Sequence, residues 1–198
     1  MRSKNLLSIT MTEKFLHDTA GERPEQLLIT CDKKGNVTGT NTRESCHKGE
    51  GLTHLAFMSF LLDNSGRVVL TKRNPAKSLW GNFWDASVVS HILQGETVGI
   101  AAKRRAGEEL GIETEFKVIG SFFYQENYGD SSENEFCYIL IGKTQNPINP
   151  NEKEIAETKF LNQFELEKFF TDNTESLTPW FIKAGEYLNL EKALWSKS

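Results

Sequence analysis

Four charged side chains crowd the stretch Arg104-Arg105-Ala106-Gly107-Glu108-Glu109, and a second carboxylate pair, Glu133 and Glu135, follows further along the chain. On a helix, residues four apart are neighbours, so Arg104 meets Glu108 and Arg105 meets Glu109 along one side. Taken alone, that pattern describes a solvated, salt-bridged face. Glu133 and Glu135 follow a different period. On a strand, side chains two apart leave the same face, so these carboxylates can converge on one cation. Three of the four histidines, His47, His54 and His91, precede them. Imidazole is a common metal ligand, although a lone histidine is more often a satisfied core or surface residue.

The elements that must position these groups are legible in outline. Residues 26–30 read as a strand and 32–35 as its turn. Residues 54–63 and 67–72 are apolar, β-prone runs joined by Asn64-Ser65-Gly66, a hairpin signal. A further sheet element is expected at 83–90. The clearest helix covers 97–110, with Thr97 as N-cap, Glu96 near its positive end and Gly111 as its stop. Residues 116–124, 135–143 and 157–161 read as strands and 163–170 as a short helix, and Thr178-Pro179 opens a last helical region. Mixed strands with helices on their faces predict an α/β (α+β) sandwich.

Composition narrows the function classes. The chain has 198 residues and no apolar run near the roughly 20 needed to span a bilayer, which suits one compact soluble domain. A net charge of -4 and the lack of a Lys/Arg run give no reason to expect nucleic acid or a membrane surface as partner. Cys31, Cys46 and Cys137 are odd in number and lack paired spacing, which suits a reducing compartment. Residues 1–10 hold too short an apolar element for a secretory signal, so a cytoplasmic location is expected. Residues 1–24, polar and broken by Gly21 and Pro24, read as an N-terminal extension to a domain over 25–198. Monomer and homodimer both stay open.

Glu96, Arg104, Glu108-Glu109 and Gly111-Ile112 match much of the Nudix box, a loop-helix-loop that holds divalent metal against a diphosphate. Ser90 stands where the box opens with glycine, and Arg105 where it has a glutamate. The latter exchange is typical of type I isopentenyl-diphosphate isomerases. The segments "HLAF" (54–57), "RNPAKSLWGNFW" (73–84), "SH" (90–91), "RRAGEELGI" (104–112), "ENEFCYIL" (133–140), "NPNE" (149–152) and "TPWF" (178–181) fall in that family's order. The chain resembles this branch from about residue 26 to Trp195.

The resemblance implies a Nudix-type mixed β-sheet sandwich flanked by α-helices. It implies that His47, His54, His91, Glu133 and Glu135 bind one ion, Mn²⁺ or Zn²⁺, and that Glu109 holds Mg²⁺ against the diphosphate of a small-molecule substrate. Arg73, Lys77 and Arg105 would contact phosphate oxygens, a task suited to cations. Trp180 would face the substrate tail and stabilise a carbocation through its ring. Glu135, helped by Tyr124, would transfer a proton on one side of an alkene.

On the other side the family uses a cysteine, and here that position is Val89. Valine has no titratable proton. Ser87 and Ser90 are near in sequence, but a hydroxyl is a far weaker base than a thiolate. The favoured expectation is therefore metal-dependent hydrolysis of an isoprenoid-like or nucleoside diphosphate, with Glu108 and Glu109 as paired catalytic glutamates. The alternatives are an isomerase with a displaced base and a non-catalytic diphosphate binder.

Overall fold

The computed structural model describes residues 23–195, so residues 1–22 of the expected extension lie outside the described residues. The chain runs β1 (Leu27–Cys31), β2 (Val37–Thr42), α1 (Arg43–His47), β3 (His54–Leu62), β4 (Val68–Arg73), β5 (Trp84–Asp85), β6 (Val88–His91) and α2 (Val98–Leu110). It continues through β7 (Phe116–Tyr128), β8 (Ser131–Lys143), β9 (Ile155–Leu161), α3 (Gln163–Asn173), a 3₁₀ turn (Thr174–Ser176), α4 (Pro179–Tyr187) and α5 (Leu190–Trp195).

Everything is arranged around β3, whose nine residues are all buried. Its uninterrupted apolar run is what a strand covered on both faces requires. One edge pairs with β8 in parallel over its full length, from His54↔Glu135 to Leu62↔Lys143. The other edge is divided. It meets β1 at His54, β6 over 56–59 and β4 only at Leu61 and Leu62, all antiparallel. β4 then diverges to pair with β5 and β9. The parallel β3–β8 pair inside an otherwise antiparallel network makes the sheet mixed, as expected.

Alternation along β3 divides the interior in two. Ala56, Met58 and Phe60 pack with Cys137, Ile139, Trp180 and Phe181 beneath α3 and α4. Leu55, Phe57 and Leu61 pack with Leu140, Ala102, Ala106 and Leu110 beneath α2. The sheet thus lies between helices, the sandwich anticipated from sequence.

Several boundaries differ from the sequence reading. The expected element at 83–90 is two short strands, β5 and β6. β7 and β8 extend past the predicted ends into a long hairpin with Ser131 opposite Tyr128. β2 and α1 were not anticipated. The exposed, polar VTGTNT run of β2 gives no alternation to read, and α1 is only five residues long.

Helix α2 is delimited as its sequence demands. The Thr97 side chain accepts from Ile100 N, and Gly111 closes the helix at φ 65°, donating to the Ala106 and Gly107 carbonyls. Asn149 crowds the glycine, and a Cβ there would lie 3.1 Å from the Asn149 Cβ. Gly111→Ala should therefore destabilise the protein by about 1–2 kcal/mol from the left-handed backbone alone. Urea unfolding should show a lower midpoint at unchanged slope, and an unchanged midpoint would refute the strain.

Candidate metal centre and the cleft beside it

Strand register brings the carboxylates to the histidines. His54 lies directly opposite Glu135 across the parallel β3–β8 pair, and His91 lies opposite Ala56 across the antiparallel β3–β6 pair. Residues directly opposite share a face, and Ala56 is two residues from His54, so His54, His91 and Glu135 emerge on one side. Glu133, two before Glu135, joins them. His47 arrives from the end of α1, whose start is fixed by the Thr42 side chain accepting from Ser45 N.

All five residues are buried, and one ligand atom from each lies within 4.8 Å of the others. His47 Nε2 is 3.0 Å from Glu133 Oε2, and His91 Nε2 is 3.1 Å from Glu135 Oε1. His54 Nε2 is 3.4 Å from Glu135 Oε1, and the His47 and His91 Nε2 atoms are 3.2 Å apart. His47 Nδ1 lies 2.7 Å from the Arg43 carbonyl, and His54 Nδ1 lies 2.7 Å from the Leu52 carbonyl. Those bonds put the Nδ1 protons outward and leave Nε2 facing the cluster as a lone-pair donor. His54 Nε2 and Glu133 Oε2 are buried without a hydrogen-bond partner. Such atoms are costly to bury unless something else satisfies them, and a cation among them would. The donor set of three imidazoles and two carboxylates fits a first-row divalent ion.

The charges in the cluster shape one another. Burial lowers the His54 pKa. Burial opposes the charge on His91 too, but the facing Glu133 and Glu135 carboxylates outweigh it and raise that pKa to about 9. Both glutamates are held down despite burial, Glu133 chiefly by His47 and His91, and Glu135 by His54 and His91. Tyr124, opposite Glu135 on β7, donates its hydroxyl to Glu135 Oε2. Burial and the Glu135 charge push the phenol well above its ordinary range, so it keeps its proton.

A small cleft lies between β4, β5, β6 and the C-terminal end of α2. Thr71 and Arg73 of β4, Lys77, Asp85 of β5, Val89 of β6, Glu109 of α2, Glu154 and Ile155 line it. Arg73, Lys77 and Glu109, to which the resemblance assigned the diphosphate, thus line one cleft. Arg105 reaches the same charge cluster, with Nη2 2.5 Å from Glu109 and 3.5 Å from Glu154, and Lys77 pairs with Glu154. Burial raises the Glu109 pKa against the opposing pull of Arg105. The 74–83 turn folds over Arg73, whose Nε and Nη2 donate to the Trp80 and Leu79 carbonyls at 3.1 and 3.0 Å. That turn holds Trp80 at φ 45°, a backbone conformation an aromatic residue adopts only when its surroundings impose it.

Glu108 is placed differently from its neighbour. Its Oε2 accepts from Arg105 Nη1 at 2.7 Å and Arg104 Nη1 at 3.3 Å, and it does not line the cleft. The acidic partner of Glu109 there is Glu154, which lies just beyond the "NPNE" segment and went unread in the sequence. Asp85 was also unread, although it stands four residues before Val89.

Val89 faces the cleft as its position implied. It pairs with Met58, so it shares the face of His91. Ser90, considered as a nearby hydroxyl, pairs with Phe57 and belongs to the opposite face, beneath α2. Ser87 is fully engaged, donating to the Val69 carbonyl at 2.5 Å and accepting from Leu61 N at 2.7 Å. Trp180, at the start of α4, packs edge-on to Trp80 at 5.0 Å and lies 6.1 Å from the Tyr124 ring. The Arg73 guanidinium lies 5.4 Å from the Trp180 ring centroid.

Residues 52–181 match the family model described as the NUDIX domain. Isopentenyl-diphosphate Delta-isomerase 1 of Photorhabdus laumondii is 32% identical over 159 residues, spanning 79% of this chain and 90% of that protein. A Halobacterium salinarum isopentenyl-diphosphate Delta-isomerase is 35% identical over 62% of this chain and 60% of its own length. Among solved structures, a Deinococcus radiodurans protein aligns with a TM-score of 0.59 at 22% identity, over 74% of this chain and 90% of its own. The MutT protein of Methanosarcina mazei aligns with a TM-score of 0.54 at 16% identity, over 67% and 88% of the two chains. At those identities the structures speak for the fold alone. Family model, relatives and the five-residue centre agree: the chain belongs to the Nudix family, in the branch whose curated relatives are named isopentenyl-diphosphate isomerases.

Proposed function

We propose that the protein is a divalent-metal enzyme that moves protons to and from carbon in a small isoprenoid diphosphate, shifting a double bond as its relatives' name describes. The observation that carries this reading is the Tyr124 hydroxyl seated on Glu135 inside the His/Glu cluster. A phenol that holds its proton against a carboxylate at a buried metal-binding centre is placed to deliver that proton to an alkene.

His47, His54, His91, Glu133 and Glu135 would hold one ion, Mn²⁺ or Zn²⁺, and Glu109 would hold Mg²⁺ against the diphosphate. Bound metal supplies positive charge that offsets the phosphates and sets the proton affinity of the groups around it. Arg73, Lys77 and Arg105 would bind phosphate oxygens, exchanging part of their present pairing with Glu109, Glu154 and Asp85 for the anion. Trp180 presents an indole beside Tyr124, suited to a carbon that becomes cationic once protonated.

Hydrolysis is the second reading, favoured by the valine at position 89. Its expected support, a pair of metal-facing glutamates, is weakened by the engagement of Glu108 with Arg104 and Arg105. The experiment is isopentenyl diphosphate in D₂O with Mg²⁺ and Mn²⁺, followed by proton NMR for deuterium entering the carbon skeleton and by assay for released phosphate. Deuterium incorporation with dimethylallyl product and no phosphate release is the expected result. Phosphate release without carbon exchange would establish hydrolysis instead, and neither would leave a binder.

The charge cluster yields a separate expectation. Arg105 is buried against Glu108, Glu109 and Glu154. Arg105→Ala should therefore cost about 3–5 kcal/mol of stability by leaving buried carboxylates uncompensated. It should also weaken inorganic pyrophosphate binding more than about tenfold, which is about 1.4 kcal/mol. Denaturant unfolding checks the first and titration calorimetry below the variant's unfolding temperature the second, and unchanged pyrophosphate affinity would remove Arg105 from the phosphate site.

A further inference from the structure

The cleft holds a carboxylate that the proposed reaction has not yet used. Asp85 is buried at the end of β5 and lines the same cleft as Val89. Its two oxygens accept from Trp180 Nε1 at 2.9 Å each, and Oδ1 also accepts from Ala86 N at 2.9 Å. Arg73 Nη1 stands 3.6 Å from Oδ2. The indole of Trp180 thus touches both groups: its ring lies 6.1 Å from that of Tyr124, which is bonded to Glu135, and its Nε1 donates to Asp85. A hydrocarbon tail held against that indole would be near two different proton-handling groups.

Resting on the proton-transfer reading above, we propose that Asp85 is the second acid-base group of the reaction, standing in for the thiol that Val89 cannot supply. In the forward direction the Tyr124–Glu135 pair gives a proton to the terminal alkene carbon. The π electrons form the new C–H bond and leave a tertiary cation against Trp180. The Asp85 carboxylate then takes a proton from the adjacent carbon, and that C–H electron pair becomes the new double bond. One proton has crossed from the Tyr124–Glu135 side to Asp85, and exchange with solvent restores both groups.

Other candidates fit less well. Ser90 faces away, and Ser87 has both its hydrogen-bonding roles taken. Cys137 is completely buried and shares the strand face of Glu135, on the acid's side of the site. Burial raises Asp85, to about 6, with Arg73 and the Trp180 hydrogen bond pulling the other way. A carboxyl near that value exchanges protons close to neutral pH, where a base is most effective. The remaining charged groups lining the cleft are Lys77, Glu109 and Glu154.

The test compares wild type, Asp85→Asn and the double variant Asp85→Asn/Val89→Cys, each metal-loaded, on isopentenyl diphosphate. Asp85→Asn should lower kcat roughly 100-fold or more while pyrophosphate affinity stays within about threefold. The wild-type rate should rise with pH through about 6, as Asp85 ionises, and that limb should vanish in Asp85→Asn. A thiol introduced at position 89 of the same cleft should restore at least about tenfold of the loss. Asp85→Asn turning over at the wild-type rate would overturn the role of Asp85 and leave the isomerase reading standing. Equal losses of kcat and pyrophosphate affinity would make Asp85 a structural partner of Arg73 and overturn the role too. A wild type inert towards alkenyl diphosphates would overturn the isomerase reading, and the role with it.

Discussion

The structure depends on one register: His54 opposite Glu135 across the parallel β3–β8 pair. Because side chains alternate with a period of two, a one-residue slip of either strand would carry its functional set to the opposite face. The same slip would turn Leu55, Phe57 and Leu61, or Glu133 and Glu135, into the wrong interior. Core packing and site assembly are therefore one constraint. The apolar residues that fix β3 between its two cores also fix where an imidazole and two carboxylates meet. His91 is set by the same logic through β6, and His47 is delivered by the short, capped turn of α1.

A second consequence is the concentration of buried charge. Arg105, Glu109 and Glu154 are all buried, and Lys77 pairs with Glu154 among them. Burying ions is expensive, and well-packed apolar residues would often hold a fold as well or better. Cations already desolvated, and already held by acids that a phosphate could partly replace, need little reorganisation on binding. The strained Trp80 backbone, fastened through its carbonyl to Arg73, ties the cleft's wall to its own cation.

Much of this was legible in the sequence. The α2 caps, the β3–β4 turn and the i, i+2 spacing of Glu133 and Glu135 are local signals, and each appears in the structure where the residues placed it. The convergence of His47, His54 and His91 is not local. It depends on pairings between segments far apart in the chain, and only the resemblance to a known family suggested it. Asp85 and Glu154 escaped because a single carboxylate in a strand-like or loop segment carries no pattern; tertiary packing alone buries them beside Val89 and Glu109. Glu108 misled for the converse reason. Adjacent helix positions point about 100° apart, so Glu109 enters the cleft while Glu108 turns to Arg104 and Arg105.

The central claim is that strand register assembles a metal centre whose imidazoles bind through Nε2. X-ray absorption at the metal edge of Mn²⁺- or Zn²⁺-loaded protein tests it most directly. The account predicts three imidazole nitrogens bonded to the metal together with carboxylate oxygen, at distances of about 2.0–2.2 Å for zinc. His54→Gln should remove one imidazole from that signature. A spectrum with oxygen ligands only, or one unchanged by His54→Gln, would contradict the account.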